Sequence, residues 1–167
     1  VSRIPDLSQV STLSSDQLLQ PKLIELGDLL DRPEAKADLE GVAKLVEGKV
    51  VLATGAAGSI GSELCRKCAR LGVHRLVLVE FSELGLCNIA QELRRGFPAL
   101  KLDTILGNCG DPAVMKHAMS RARVDAVFHA AAYKQVPLLE DELREAMLNN
   151  VLATETTARA AAEAGVG

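Results

Sequence analysis

Val50-Val51-Leu52-Ala53-Thr54-Gly55-Ala56-Ala57-Gly58-Ser59-Ile60-Gly61-Ser62-Glu63-Leu64 joins an apolar, β-branched run to three glycines spaced G-x-x-G-x-x-G and then to a helical pattern. The spacing predicts a strand, a tight turn and a helix N-terminus. Such glycines let backbone approach a pyrophosphate, while the helix's free N–H groups and positive dipole end face its charge. A glycine triplet alone is a weak signal, and this spacing departs from the commoner G-x-G-x-x-G, so the flanking sequence decides. The helix carries Ile60, Leu64, Ala69 and Leu71 at apolar positions before Gly72 stops it. A second apolar run, Arg75-Leu76-Val77-Leu78-Val79-Glu80, ends on an acid 25 residues after Gly55. A ribose-binding carboxylate is expected at the end of the second strand; a surface acid closing a buried strand is the plainer alternative.

The 167 residues, 48% hydrophobic and 25% charged, suffice for one domain with a real core. A net charge of -3, with no block of Lys or Arg, argues against nucleic acid as a partner. Three Phe, one Tyr and no Trp leave few stacking platforms, so aliphatic walls are expected around an adenine. No apolar run reaches membrane-span length, and Val1-Ser2-Arg3-Ile4-Pro5 lacks the core of a signal peptide, so a soluble chain is expected. The absent initiator Met and the ending Gly165-Val166-Gly167 read as a piece of a longer polypeptide. Cys65 and Cys68 form a C-x-x-C within the helix after the glycine turn, with no second pair. With Cys87 and Cys109 they read as four buried or half-buried thiols in a reducing cytoplasm, and no metal site is assigned.

Residues 1–40, interrupted by Pro5, Pro21 and Pro33, read as a linker arm, and 41–167 as a dinucleotide-binding domain cut before its fifth strand. A short helix over 38–47 ends at Gly48. Strands at 49–54, 75–80, 102–106 and 124–129 alternate with helices at 59–71, 83–95, 112–121 and 141–164. This order predicts an α/β, Rossmann-like doubly wound parallel sheet with strand order 3-2-1-4. Ligands bind such sheets beyond the carboxyl ends of the strands, where the order reverses. Asn108 and Cys109 follow the third strand there, and His129-Ala130-Ala131-Ala132-Tyr133-Lys134 the fourth. The three alanines leave room for a nicotinamide ribose, or equally for close helix packing.

Three segments carry a family resemblance: Thr54 to Arg66, Phe128-His129-Ala130-Ala131-Ala132-Tyr133-Lys134-Gln135-Val136-Pro137-Leu138, and Glu145-Ala146-Met147-Leu148-Asn149-Asn150-Val151-Leu152-Ala153-Thr154. Through them nearly the whole chain resembles the polysaccharide-biosynthesis nucleotide-sugar 4,6-dehydratases of the extended short-chain dehydrogenase/reductase superfamily. The arm Asp28-Leu29-Leu30-Asp31-Arg32-Pro33 is similar to the segment that links a membrane-anchored region to the catalytic domain in long members. That likeness implies a full-length protein at the cytoplasmic face of the membrane.

The resemblance implies a lyase that converts a UDP-N-acetylhexosamine, typically UDP-N-acetylglucosamine, to a 4-keto-6-deoxy sugar. A bound nicotinamide cofactor takes hydride from C4, water leaves across C5 and C6, and hydride returns to C6. It implies that Gly55, Gly58, Ser59, Ile60 and Gly61 cradle the pyrophosphate, Glu80 the adenosine ribose, and Asn108 with Cys109 the adenine. Ala130, Ala131 and Ala132 line the nicotinamide side, and Lys134 reaches both cofactor and nucleotide-sugar substrate, a solvated loop Lys being the alternative. Glu80 favours NAD over NADP, because a carboxylate binds the 2'-hydroxyl and repels a 2'-phosphate. The chain departs from the family pattern at Asn108, usually Asp, at Glu142-Leu143, usually Asn-Pro, and at Ala153 and Asp31, usually Gly. Asn108 can still hydrogen-bond adenine, and the other changes are expected to alter local turns and helix entry more than chemistry.

The superfamily's catalytic Ser or Thr, acid-base group and Lys follow the fifth strand. No catalytic residue is therefore assigned in this chain; they are expected beyond Gly167, and this stretch alone is expected to be inactive. Tyr133, the sole Tyr, lacks a Lys one helical turn later because position 137 is Pro. His129, ending a buried strand, reads as a hydrogen-bonded structural residue. The competing readings are a nucleotide-sugar 4-epimerase and a non-catalytic NAD(P)-binding module. Helix 141–164 carries Ala146, Met147, Val151, Ala158 and Ala161 near one face, suited to the sheet or to a partner in a homo-oligomer.

Overall fold

Four short apolar runs form one parallel sheet in the computed structural model, which describes Ser2–Arg3, Lys22–Leu23 and residues 39–166. The strands are β1 (Val50–Thr54), β2 (Arg75–Glu80), β3 (Lys101–Leu106) and β4 (Ala126–His129), in the order β3-β2-β1-β4. The predicted 3-2-1-4 order is thus the observed one. Ser2–Arg3 pairs antiparallel with Lys22–Leu23, and Leu39 and Glu40 at the end of the expected arm are helical; the rest of the arm, including Asp28 to Pro33, lies outside the described residues.

Alternate residues of the two central strands feed two cores. Val51 and Ala53 of β1 and Leu76 and Leu78 of β2 pack beneath helices α2 (Ser59–Arg70) and α3 (Glu83–Gly96), with Val46 from α1 (Leu39–Val46). Leu52, Val77 and Val79 face the other way, onto Met115 and Ala118 of α4 (Pro112–Ser120) and Ala153 of α7 (Ala153–Glu163). Burial on both faces is why these strands are almost continuously aliphatic. Each fully buried Leu or Val contributes about 1.5–3 kcal/mol of transfer free energy.

The buried stripe of α2 is Gly61, Ser62, Cys65, Cys68 and Ala69, while Ile60 is 65% exposed. The apolar positions expected at Ile60 and Leu64 therefore do not form the packed face; the two cysteines do. Cys87 is exposed, which corrects the expectation of four buried or half-buried thiols.

The helix expected over 141–164 is one continuous run, Leu143 to Glu163, in which a π turn (Leu148–Leu152) joins α6 (Leu143–Met147) to α7; a short separate helix, α5 (Val136–Asp141), precedes it. Pro137 is the second residue of α5, in the first turn, where a missing N–H costs nothing. Glu142, at φ -112° and ψ 48°, breaks the chain between α5 and α6. The extra residue of the π turn rotates everything after it, so Ala153 and Thr157 are the buried side chains of α7 and Ala158 is exposed; Met147, before the turn, and Val151, within it, are exposed as well. Among the described residues no helix is long and apolar enough to cross a membrane.

Candidate functional site

The carboxyl ends of all four strands open into a cleft of about 340 Å³. Its floor is the glycine turn. Gly55 adopts φ +62°, and a Cβ there would lie 2.7 Å from Ala130 O and Ala131 N, so the turn presses against the loop after β4. Gly61 is tighter still: its Cβ would stand 2.0 Å from Gly55 O. The first and third glycines thus let the start of α2 fold back onto its own turn.

The N-cap of α2 is Gly58, which supplies no side-chain acceptor. The first helical bond runs from Ser62 N–H to Gly58 O, which leaves the Ser59, Ile60 and Gly61 amides without partners among the described hydrogen bonds. Three unsatisfied donors at the positive end of a 12-residue helix are an anion-binding arrangement.

Glu80, at the end of β2, has both carboxylate oxygens held by backbone. Oε2 accepts from Ala57 N–H at 2.9 Å, and Oε1 accepts from Phe81 N–H and Ser82 N–H, each at 2.9 Å. The acid therefore ties the glycine turn to the turn that enters α3. A carboxylate has about four lone-pair sites, so acceptor capacity remains for a ligand hydroxyl.

Asn108 follows β3, and its Oδ1 accepts from Gly110 N–H at 2.7 Å, which leaves its Nδ2 as a donor at the cleft. Cys109 lines the same wall but is 5% exposed, and burial pushes its thiol up. Ala130, Ala131 and Ala132 form the opposite wall. Beyond them Asn150 clamps the loop: its Oδ1 accepts from Tyr133 N–H at 2.8 Å and its Nδ2 donates to Tyr133 O at 2.9 Å.

Of the residues expected here, Gly55, Gly58, Glu80, Asn108, Cys109 and Ala130 to Ala132 line the cleft; Ser59, Ile60, Gly61 and Lys134 do not. Lys134 Nζ donates to Ser59 Oγ at 2.8 Å, linking the loop after β4 to the start of α2. Phe81, 72% exposed, also lines the cleft, which corrects the expectation of purely aliphatic walls. Tyr133 is a second aromatic residue of the wall, and Ala57, Val79, Ser82, Gly85, Gly107 and Asn149 also line it. The signal for Phe81 and Ser82 was adjacency to Glu80; for Asn149 and Asn150 it was two poor helix formers side by side within a helical pattern.

The remaining polar groups are structural. His129 Nδ1 lies 2.7 Å from Thr54 Oγ1 and Nε2 lies 3.0 Å from Thr154 Oγ1, and burial lowers the ring's pKa. This is the hydrogen-bonded histidine the sequence suggested. Burial pushes Cys65 up to about 12 and Cys68 up to about 11. Both stay protonated at neutral pH, and among the described residues no group of His, Cys, Asp and Glu could hold a metal ion.

Residues 51–167 match the family described as "Polysaccharide biosynthesis protein". The chain is 33% identical over 146 residues to the capsular polysaccharide biosynthesis protein CapD of Staphylococcus aureus, covering 87% of this chain and 24% of CapD. It spans about a quarter to a third of the length of the curated relatives it matches. Among solved structures it is similar to Pen from Bacillus thuringiensis, with TM-score 0.64 and 27% identity over 72% of this chain and 35% of that one. It is also similar to a UDP-glucose 4-epimerase from Stenotrophomonas maltophila determined with NAD and formylated UDP-arabinopyranose, with TM-score 0.64 and 25% identity over 71% of this chain and 34% of that one. The family match covers most of the chain, and the two solved structures share its fold. The chain belongs to the polysaccharide biosynthesis protein family, built on the Rossmann-like fold of the extended short-chain dehydrogenases/reductases.

Proposed function

We propose that this chain is the NAD-binding part of a nucleotide-sugar 4,6-dehydratase acting on a UDP-N-acetylhexosamine in polysaccharide precursor synthesis. The observation that carries the reading is Glu80, fixed by three backbone amides beside an uncapped helix N-terminus at the mouth of one cleft. The cleft fits the group: small residues line it, free amide donors suit a diphosphate, and an oriented carboxylate suits a ribose diol.

Gly55, Gly58, Ser59, Ile60 and Gly61 would hold the pyrophosphate, Glu80 the adenosine ribose, Asn108 and Cys109 the adenine, and Ala130 to Ala132 the nicotinamide side. Lys134, freed from Ser59, would supply a point charge to the diphosphates of cofactor and substrate. When bound, the nicotinamide supplies a hydride acceptor and donor. NAD is favoured over NADP because no Lys or Arg among the described residues lines the cleft, while Glu80 would face a 2'-phosphate. The acid-base group is assigned to polypeptide outside this chain. The same reading puts the whole protein at the cytoplasmic face of the membrane.

Titration of NAD and NADP into the 167-residue chain tests the cofactor, with NAD expected to bind at least about tenfold more tightly, a difference of about 1.4 kcal/mol. Equal affinity, or none, would remove the reading. The reaction is tested by offering UDP-N-acetylglucosamine to the whole protein rather than to this stretch: a 4-keto-6-deoxy product absorbs in alkali. Likeness to the 4-epimerase structure favours a second reading, in which the product keeps its water and differs only at C4.

A further inference from the structure

Thr54, His129, Thr154 and Asn150 form a hydrogen-bonded relay whose direction is fixed at one end. Thr154 Oγ1 donates to the Asn150 carbonyl at 2.8 Å, since a carbonyl only accepts. With its hydrogen used there, that hydroxyl accepts from His129 Nε2–H at 3.0 Å. A neutral ring protonated at Nε2 carries a lone pair at Nδ1, so Thr54 Oγ1 donates to it at 2.7 Å. The hydrogen-bond partners thus assign the tautomer.

Both ends of the relay abut the cleft. Thr54 is wholly buried and immediately precedes Gly55. At the other end Asn150 grips Tyr133 by both backbone groups. We propose that His129, held neutral, is a positioning residue of the cofactor cleft: it steadies the glycine turn through Thr54 and the Tyr133 wall through Thr154 and Asn150, and its protonation loosens both and weakens cofactor binding. The proposal rests on the cleft being the cofactor site.

The elements packed around the ring offer no counter-ion. β1 faces it with Thr54, α7 with Thr154, and the π turn supplies the Asn150 carbonyl. Cys109, close to Thr54, is kept protonated by burial. Charged side chains of the neighbouring elements are engaged elsewhere: Lys134 with Ser59, Glu155 with Arg159, and Glu80 with three amides. A proton arriving at Nδ1 therefore meets a hydroxyl already donating toward it. Thr54 must turn its hydrogen away in a position that excludes water, and the ring gains an unpaired charge.

The test follows NAD binding to the 167-residue chain from pH 8 to pH 5.5, with the His129 ring and Tyr133 amide monitored by NMR over the same range. In the wild-type chain NAD affinity should fall about three- to tenfold, as for the loss of one or two hydrogen bonds. The fall should track the ring's own titration, below the usual value of about 6.5, and the Tyr133 amide should shift with the same midpoint. His129→Gln, which cannot titrate, should flatten the profile. Thr154→Val leaves the ring intact but breaks the relay, so it should weaken binding with little pH dependence, and Thr154→Ser should restore both. Affinity that stays flat while the ring titrates, or an unchanged profile in either His129→Gln or Thr154→Val, overturns the proposal while leaving the cofactor site in place. Failure of NAD to bind at any pH removes the cofactor reading, and the proposal with it.

Discussion

Replacing Gly61 by Ala adds one methyl group, and the structure fixes what it meets. Its Cβ would stand 2.0 Å from Gly55 O and 2.8 Å from Gly55 C, against a floor of 3.0 Å that real Cβ atoms respect. The turn must therefore open by about 1 Å, and because both neighbours are backbone no rotamer change can absorb it. Overpacking of this kind costs about 1–3 kcal/mol, and the absence of any soft neighbour points to the upper end. Ala in a helix interior returns about 1 kcal/mol over Gly. The clash wins by roughly 2 kcal/mol, equivalent to a fall in Tm of roughly 8 °C for a domain of this size. Gly96 provides the control, since it ends α3 and nothing lies within 4 Å of its Cβ. Gly96→Ala should gain up to about 1 kcal/mol. Thermal melts followed by far-UV circular dichroism compare the two variants directly. A Gly61→Ala chain that melts at or above the wild type, or a Gly96→Ala chain that melts clearly below it, would refute the reasoning.

Glu80→Gln exchanges one acceptor oxygen for an NH2 group that faces backbone donors, so NAD affinity should drop at least about tenfold with a loss of about 1.5–3 kcal/mol in stability; calorimetry and urea denaturation measure the two effects. The folded-state pKa values of Cys65 and Cys68 are raised to about 12 and about 11. Their contribution to stability is therefore complete below the unfolded thiol value of about 8.5 and is lost as pH rises from there through the folded values, so Tm should decline above about pH 8.5 and decline less in a Cys65→Ala, Cys68→Ala chain. In the native protein a thiol reagent at pH 8 should modify Cys87 fastest, because Cys65, Cys68 and Cys109 are buried; rapid labelling of all four would contradict the packing. Arg66 meets Glu92 through two bonds of 2.6 and 2.9 Å between α2 and α3, yet both side chains are substantially exposed, so Glu92→Ala should cost no more than about 1 kcal/mol in a denaturant titration.

The strands were legible because burial on both faces demands aliphatic runs, and Val50 to Ala53 and Leu76 to Val79 satisfy that demand; their alternation with helices then gave the order. The glycine turn and Glu80 were legible for a related reason: only certain residues tolerate those positions, and they stand at fixed distances along the chain. The entry of the long helix was legible to within two residues, Leu143 against an expected 141, where the family pattern has a proline; the preceding α5 was hidden because six residues are too few to show a 3.6-residue period. The π turn was equally invisible to apolar periodicity, since its cause is tertiary: Asn149 reaches the cleft, Asn150 reaches Tyr133, and Ala153 must still find the sheet. Phe81 was overlooked because composition counts aromatic residues but does not say where they stand.

The three amides on Glu80 bear on how such a protein can change over evolutionary time. A switch of cofactor toward NADP is ordinarily imagined as the loss of one acid and the arrival of one base. Here the acid is also the acceptor that joins the glycine turn to the entrance of α3. A replacement that brings no acceptor strands all three donors, and even Gln strands at least one, before a base can contribute anything. The route to a new cofactor therefore crosses a fitness valley unless the turn after β2 is rebuilt first, and descendants of this chain should keep Glu80, or change it only together with Phe81 and Ser82.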